Sequence, residues 1–281
     1  MNKTAVWMLT GLLLIAAGVV VAQEIQDIFD NRRSRGYRGY RSRTINTNLR
    51  PMWQENTEFR KDVFTFARVQ YTSSGQQWGQ PQWSVDYPDS DMNLSYRLKE
   101  LTSLEVNPVP VIVRFDQPEV FDYPFVYLIE PGLMSLTVAE IEGFRQYIER
   151  GGFVMVDDFW GEREWRVFAN EMKRVFPDRE IIDVPLDHEI FNLVYQISEK
   201  PQIPSIGHFR MGYSSDRWDA DHANYRAILD DDGRIAIIIC HNTDLGDGWE
   251  REGEDTRYFD LYSEKFAYPL GINIVMYAMT H

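Results

Sequence analysis

One cysteine, Cys240, stands in 281 residues, so no intramolecular disulfide can form. Also missing are a G-x-x-x-x-G-K phosphate loop and a G-x-G-x-x-G turn after a strand, the two glycine cradles that hold nucleotide phosphates. The paired histidines of a helical zinc protease do not occur, and no internal repeat is visible. Basic residues are scarce beyond the first sixty. Residues 1–61 hold ten Lys or Arg against five Asp or Glu, and the whole chain sums to −14, so residues 62–281 carry −19. A surface that acidic repels phosphate, which excludes nucleic acid as a partner of this part. No cofactor is predicted; a divalent metal is the one possibility the acidic residues leave open.

At the N-terminus, Lys3 precedes an uncharged, mostly apolar run from Ala5 to Ala22, and Val20-Val21-Ala22 before Gln23 is an acceptable cleavage site. Residues 1–22 therefore read as a signal peptide cleaved after Ala22, or as an N-terminal anchor just long enough to span a membrane. Both place the remainder in the periplasm or on the outer face of the membrane. Residues 23–61 read as a flexible linker rich in Arg, Gly and Tyr, with the segment NRRSRGYRGYRSR at its centre. That linker is a solvated spacer, or a tether to anionic lipid, polysaccharide or an acidic partner. Without disulfides, the exported part relies on a large core, and residues 62–281 are long enough for one α/β domain.

The centre of that domain is Phe121–Asp158. Phe125–Ile129 is a continuous apolar run, as expected of a strand buried on both faces. Thr137 with Glu140 forms a capping box, followed by Val138, Ile141, Phe144 and Ile148 at helical spacing. Gly151-Gly152 ends that helix, and Phe153–Val156 is a second strand closing in Asp157-Asp158. Such a strand–helix–strand unit predicts an open, mostly parallel sheet with helices on both faces. Around it, a first strand falls within 64–71, and a helix capped by Ser90 or Asp91 carries Leu94, Leu98 and Leu101. Short β-prone pieces at 104–106 and 109–115 contain Pro108 and Pro110, which places one at a sheet edge or in a loop. A helix bears Trp165, Phe168, Met172 and Val175; strands follow at 180–184 and 234–240; a closing helix bears Leu270, Ile274 and Tyr277. Residues 198–228 read as irregular, and 241–257 as a long acidic loop.

Ligands of an open parallel sheet sit beyond the carboxyl ends of its strands. The residues following each predicted strand are Tyr71 and Ser73, Glu130, Asp157 and Asp158, His188, and His241 with Asp244. Asp157, Asp158 and His188 are the catalytic candidates, because carboxylates and an imidazole on one rim can hold a divalent metal or move protons. Alternation along a strand leaves one of Asp157 and Asp158 facing the cleft, the other being free to cap the helix near Gly161. Asp187-His188-Glu189 lacks metalloprotease spacing, and a packed or capping His188 is the plainer reading. Cys240-His241 lacks a nucleophile elbow, so Cys240 reads as a small buried hydrophobe. The acids from Asp244 to Asp255 lack the regular order of a calcium loop and read as solvated. Trp78, Trp83, Trp160 and Trp249 fall in predicted loops and can stack on sugar faces, or cover the core.

The blocks FTFARVQY, WSVDYPDSDMNLSYRLKELTSL, YPFVYLIEPG, LTVAEIEGFRQYIERGGFVMVDD, VFP with DHEIF, GRIAII and LGINIVMYAM together resemble the bacterial domain-of-unknown-function family 4159 over about residues 62–279. The resemblance implies a flavodoxin-like α/β domain similar to class I glutamine amidotransferases and trehalose-utilisation-like proteins, exported or membrane-attached. Amidotransferases of that architecture place a cysteine on a strand-to-helix elbow; this chain has Asp158-Phe159-Trp160 there, so the resemblance does not bring that reaction with it. Asp86, Tyr87, Glu130, Asp244 and Asn273 fall within the resembling residues 62–279 and are ligand-binding candidates. Two functions are therefore expected: a non-catalytic binding or assembly module of the cell envelope with a protein or glycan partner, or an envelope hydrolase acting on carbohydrate through a metal or paired carboxylates.

Overall fold

The computed structural model describes Trp53, residues 62–75 and residues 81–281. The signal or anchor read at 1–22 lies outside the described residues, as do Trp78 and, but for Trp53, the linker read at 23–61. Among the described residues no helix is long and apolar enough to cross a membrane.

Seven strands form one sheet: β1 (Ala67–Val69), β2 (Val111–Val113), β3 (Phe125–Ile129), β4 (Phe153–Phe159), β5 (Ile182–Asp183), β6 (Asn224–Leu229) and β7 (Ile235–His241). Their order is β2-β1-β3-β4-β7-β6-β5. The first five run parallel, in the sequential order of a flavodoxin-like sheet, and the last two add an antiparallel edge. The central strands are wholly buried because successive side chains enter two separate cores. Phe125, Tyr127, Ile129, Phe153 and Met155 point to one face; Val126, Leu128, Val154 and Val156 point to the other. Helices α1 (Asp89–Leu101) and α6 (Tyr268–Thr280) cover the first face. Helices α2 (Val138–Glu149) and α3 (Gly161–Val175) cover the second. Two short helices, α4 (Ile206–Arg210) and α5 (Leu245–Glu250), lie in the connections around β6 and β7.

The capping box of α2 is present: Glu140 N–H donates to Thr137 Oγ1 at 3.2 Å, and Thr137 N–H to Glu140 Oε2 at 2.8 Å. Gly151, at φ 89°, ends the helix in the left-handed region. Its apolar stripe is Phe144, Tyr147 and Ile148; Val138, in the first turn, stands in solvent. Helix α1 starts earlier than expected, at Asp89, with no side-chain cap; Asp91 pairs instead with buried Arg68, and Leu101 is exposed at the helix end. Edge strand β2 follows Pro108 and Pro110, as the prolines require. Trp53 docks on the domain, its indole N–H donating to the Val106 carbonyl at 2.6 Å.

Two expectations are corrected. Residues 198–228 are not irregular throughout: they hold α4 and most of β6, whose NYRAIL is stabilised by a full antiparallel ladder to β7 rather than by a clear apolar period. Residues 241–257 are not a solvated loop. Asp244 and Asp247 are buried, and α5 packs Leu245 and Trp249 into the core.

Candidate functional site

The strand order reverses between β1 and β3, and at that switch point the carboxyl ends of β1, β3 and β4 open one rim. Four non-glycine residues there or beside it hold left-handed backbone: Asp86 (φ 61°), Glu130 (53°), Asp158 (53°) and Asn242 (63°). Each conformation costs roughly 1 kcal/mol or more, and such strain is concentrated where a fold commits side chains to a site.

At the end of β4 the pairing with β7 slips between Val156 and Phe159. That irregularity, with Asp158 left-handed, breaks the expected alternation, so both carboxylates serve the rim. Asp157 Oδ2 accepts from Tyr127 Oη–H at 2.8 Å and from Gly246 N–H at 3.1 Å. Asp158 does not cap α3; its Oδ1 accepts from the Trp160 indole at 3.0 Å, and α3 begins without a side-chain cap. Carboxylate oxygens of Asp158, Asp86 and Asp244 all lie within 4.8 Å of one another, as do those of Asp86, Asp247 and Glu250. Glu130 follows β3 beside Glu164, which also accepts from Trp160 N–H at 2.8 Å and pairs with Arg217.

The electrostatics follow from crowding like charges out of water. Burial first, then the neighbouring Asp247, pushes Asp86 up to about 6. Burial and Glu164 push Glu130 up to about 8. Burial raises Asp157 to about 7 against the hydrogen bonds from Tyr127 and Gly246. Asp158 and Asp244 are held well above the carboxylate range by burial and then by their acidic neighbours, Glu130 for the one and Asp158 for the other. At neutral pH the rim thus keeps protons that exposed carboxyls would lose.

Of the residues read from the sequence, Asp86, Glu130, Asp157, Asp158 and Asp244 meet on this rim. The Tyr87 ring lies near the Arg68 guanidinium, 5.8 Å from its centroid, and Tyr71 donates to the carbonyls of Ile129 and Glu130, tying β1 to the end of β3. His188 does not belong to it. Its ring packs on Tyr277, whose hydroxyl accepts from Ile235 N–H at the opposite end of β7, and its Nδ1 accepts from Ile190 N–H as a cap. β5 itself runs parallel to β7, but the chain turns back after it, with His188 N–H donating to the Pro185 carbonyl, and its packing on Tyr277 at the start of β7 removes His188 from the catalytic candidates. Asn273 is likewise elsewhere, tethering Val194 and Tyr195 to α6. Cys240 is fully buried and its thiol pushed well up, as a packed hydrophobe should be. Trp160 and Trp249 are buried, so neither offers a face to sugar.

Sequence reasoning set Asp247 and Glu250 aside with the other acids of a solvated loop, and missed Glu164 and Arg68. Arg68 lies buried at the centre of the loop that presents Asp86: it pairs with Asp91, donates to Ser90 Oγ at 2.9 Å and to the Val85 carbonyl at 2.7 Å. An arginine in the middle of the predicted strand FTFARVQY was the available signal.

Fold and rim together define an open-sheet α/β domain with a carboxylate-lined site at its topological switch point. The chain belongs to the family described as a domain of unknown function, DUF4159, which matches residues 65–279. A search of curated proteins gives no match.

Proposed function

We propose that the domain is a non-catalytic binding module of the cell envelope that seats a sugar chain on the strand-end rim. The observation that carries this reading is an aromatic lip beside the acidic floor. Arg217 pairs with Glu164 at 3.1 Å, and an Asp219 carboxylate oxygen accepts from Glu162 N–H at 3.1 Å, so the residues on either side of Trp218 are fastened to the rim. Trp218 itself is 91% exposed, and Met211 and Tyr213 nearby in the chain are exposed as well, though less, at 62% and 60%. An indole held out in water beside carboxylates suits a sugar ring: the apolar face stacks, and hydroxyls donate to the acids. The apolar leader read at residues 1–22 supplies the extracytoplasmic address, where such chains are found.

Titrating the purified chain with soluble envelope polysaccharide fragments by calorimetry tests this. Trp218→Ala should weaken binding by up to about tenfold with an unchanged thermal midpoint, since the side chain packs on little. Absence of binding by the unaltered chain would refute the reading.

A hydrolase is the second reading, because Glu130 and Asp157, held up to about 8 and about 7, are acids at neutral pH. The oxygens of Asp86, Asp158 and Asp244 lie within 4.8 Å of one another, closer than the about 5–9.5 Å that separates glycosidase carboxyls, so these three do not form such a pair. Release of reducing ends over time in the same titration would move the assignment to this second reading.

A further inference from the structure

The two carboxylate triads of the rim share Asp86 but differ in how their charge is met. Asp247 and Glu250 have a resident cation: Arg251 Nε lies 2.9 Å from Asp247 Oδ1 and its Nη2 lies 2.7 Å from Glu250 Oε2. Asp158 and Asp244 have none. Among the described residues no Lys, Arg or His nitrogen pairs with Asp86, Asp158 or Asp244, and nearby Arg68 is already paired with Asp91. Asp158 and Asp244 are nonetheless 6% and 3% exposed.

A second feature is independent of that count. Asp86 Oδ2 is shielded from solvent and accepts no hydrogen bond; nor does Asp157 Oδ1, on a side chain with no exposed surface. The two carboxylates converge on Gly246. A Cβ placed there would lie 3.0 Å from Asp86 Oδ2 and 2.8 Å from Tyr127 Oη, the hydroxyl that donates to Asp157. Carboxylate oxygens shut away from water without a partner are costly unless a proton or a cation meets them.

We propose that Asp86, Asp158 and Asp244 bind one hard divalent cation, of the calcium or magnesium class, at the carboxyl end of the parallel strands. All the donors are oxygens, with no thiolate or imidazole among them, which is the donor set these ions prefer and zinc or copper does not. The inference rests on the rim being the binding face. It deepens that reading by giving the sugar hydroxyls a metal to coordinate beside Trp218.

The test uses the full chain, stripped with chelator and titrated with calcium, magnesium, manganese and zinc chlorides by calorimetry and thermal shift. One calcium, magnesium or manganese ion per chain is expected, raising the thermal midpoint by about 5 °C or more at a hundredfold excess over Kd. Asp158→Asn and Asp244→Asn should each weaken the ion at least tenfold, whereas Asp187→Asn, on the exposed surface, should not. The stripped Asn variants should melt no lower than the unaltered chain, because Asn keeps the side-chain oxygen that accepts from the Trp160 indole at 158 and from Asp247 N–H at 244, and removes an acid whose ionisation burial opposes; lost binding then cannot be put down to misfolding. No stoichiometric binding at millimolar concentrations, a response to zinc alone, or binding indifferent to both Asn variants would overturn the proposal. Ion binding without sugar binding supports it and sinks the glycan reading. Sugar binding that survives chelation, with no ion taken up, does the reverse.

Discussion

His241 illustrates how a single buried ring acquires its protonation state. It is 2% exposed, its Nε2 lies 3.2 Å from the Gly161 carbonyl, and its Nδ1 lies 3.2 Å from an Arg226 nitrogen. A neutral imidazole satisfies both, donating to the carbonyl and accepting from the guanidinium. Burial, aided by Arg226, lowers the ring to about 4. Between pH 6.5 and about 4 the unfolded chain therefore binds a proton that the folded chain refuses, so stability falls as pH falls through that window. His241→Gln keeps a donor and an acceptor without the titration. Urea midpoints taken from pH 7 to pH 4.5 should fall less steeply in the variant, the difference reaching about 2 kcal/mol at the acid end. At this scale the sequence marked Glu130, Asp157, Asp158 and Asp244 by their places after strands, and Asp86 only through the resembling block WSVDYPDSDMNLSYRLKELTSL. It placed an arginine inside a predicted strand but left the role of Arg68 open, because an alternating strand reads the same whether its polar residue faces water or a buried partner.

Among the elements, those carrying several concordant local signals were legible. Strands β3 and β4 are unbroken apolar runs, and α2 has both its capping box and its terminal glycine. Strand β6 and helix α5 were not, for opposite reasons. In β6 the charged Arg226 and polar Asn224 hide a strand whose stability comes from its neighbour, and α5 is six residues of LGDGWE, too short for any period to show. Their places are fixed by contacts distant in sequence, which composition does not record. The α2 helix offers an element-scale test at Gly143. A Cβ at that position would overlap the Phe115 carbonyl, a backbone atom that cannot rotate away, while the Phe115 and Phe144 rings stack 4.0 Å apart beside it. Gly143→Ala should cost about 3 kcal/mol, despite the better intrinsic helix propensity of alanine, and chemical denaturation would show it as a lower midpoint at unchanged slope.

For the molecule as a whole, the excess of −19 over residues 62–281 is unevenly spread, with the most crowded acids gathered at the carboxyl ends of the parallel strands. Glu130, held at about 8 by burial and Glu164, is protonated in the folded state where the unfolded chain has already lost its proton. From pH 4.5 to about 8 the folded chain binds more protons, so this group makes stability fall as pH rises, opposite in sign to His241. Thermal midpoints in chelator should therefore drop between pH 6.5 and 8.5, and Glu130→Gln should recover about 1 kcal/mol of that loss at the alkaline end, discounted for the partial exposure of the side chain. An unchanged slope in the variant would show that Glu130 gives up its proton as an exposed carboxyl does.

Asp86, Asp158 and Asp244 come from three widely separated stretches of the chain and meet only when the switch point has closed. A chain still being threaded or synthesised carries no such concentration of charge and has nothing with which to capture an ion. Assembly of the sheet and creation of the electrostatic sink are thus one event, and fragments that end before Asp244 would be blind to whatever the rim recognises.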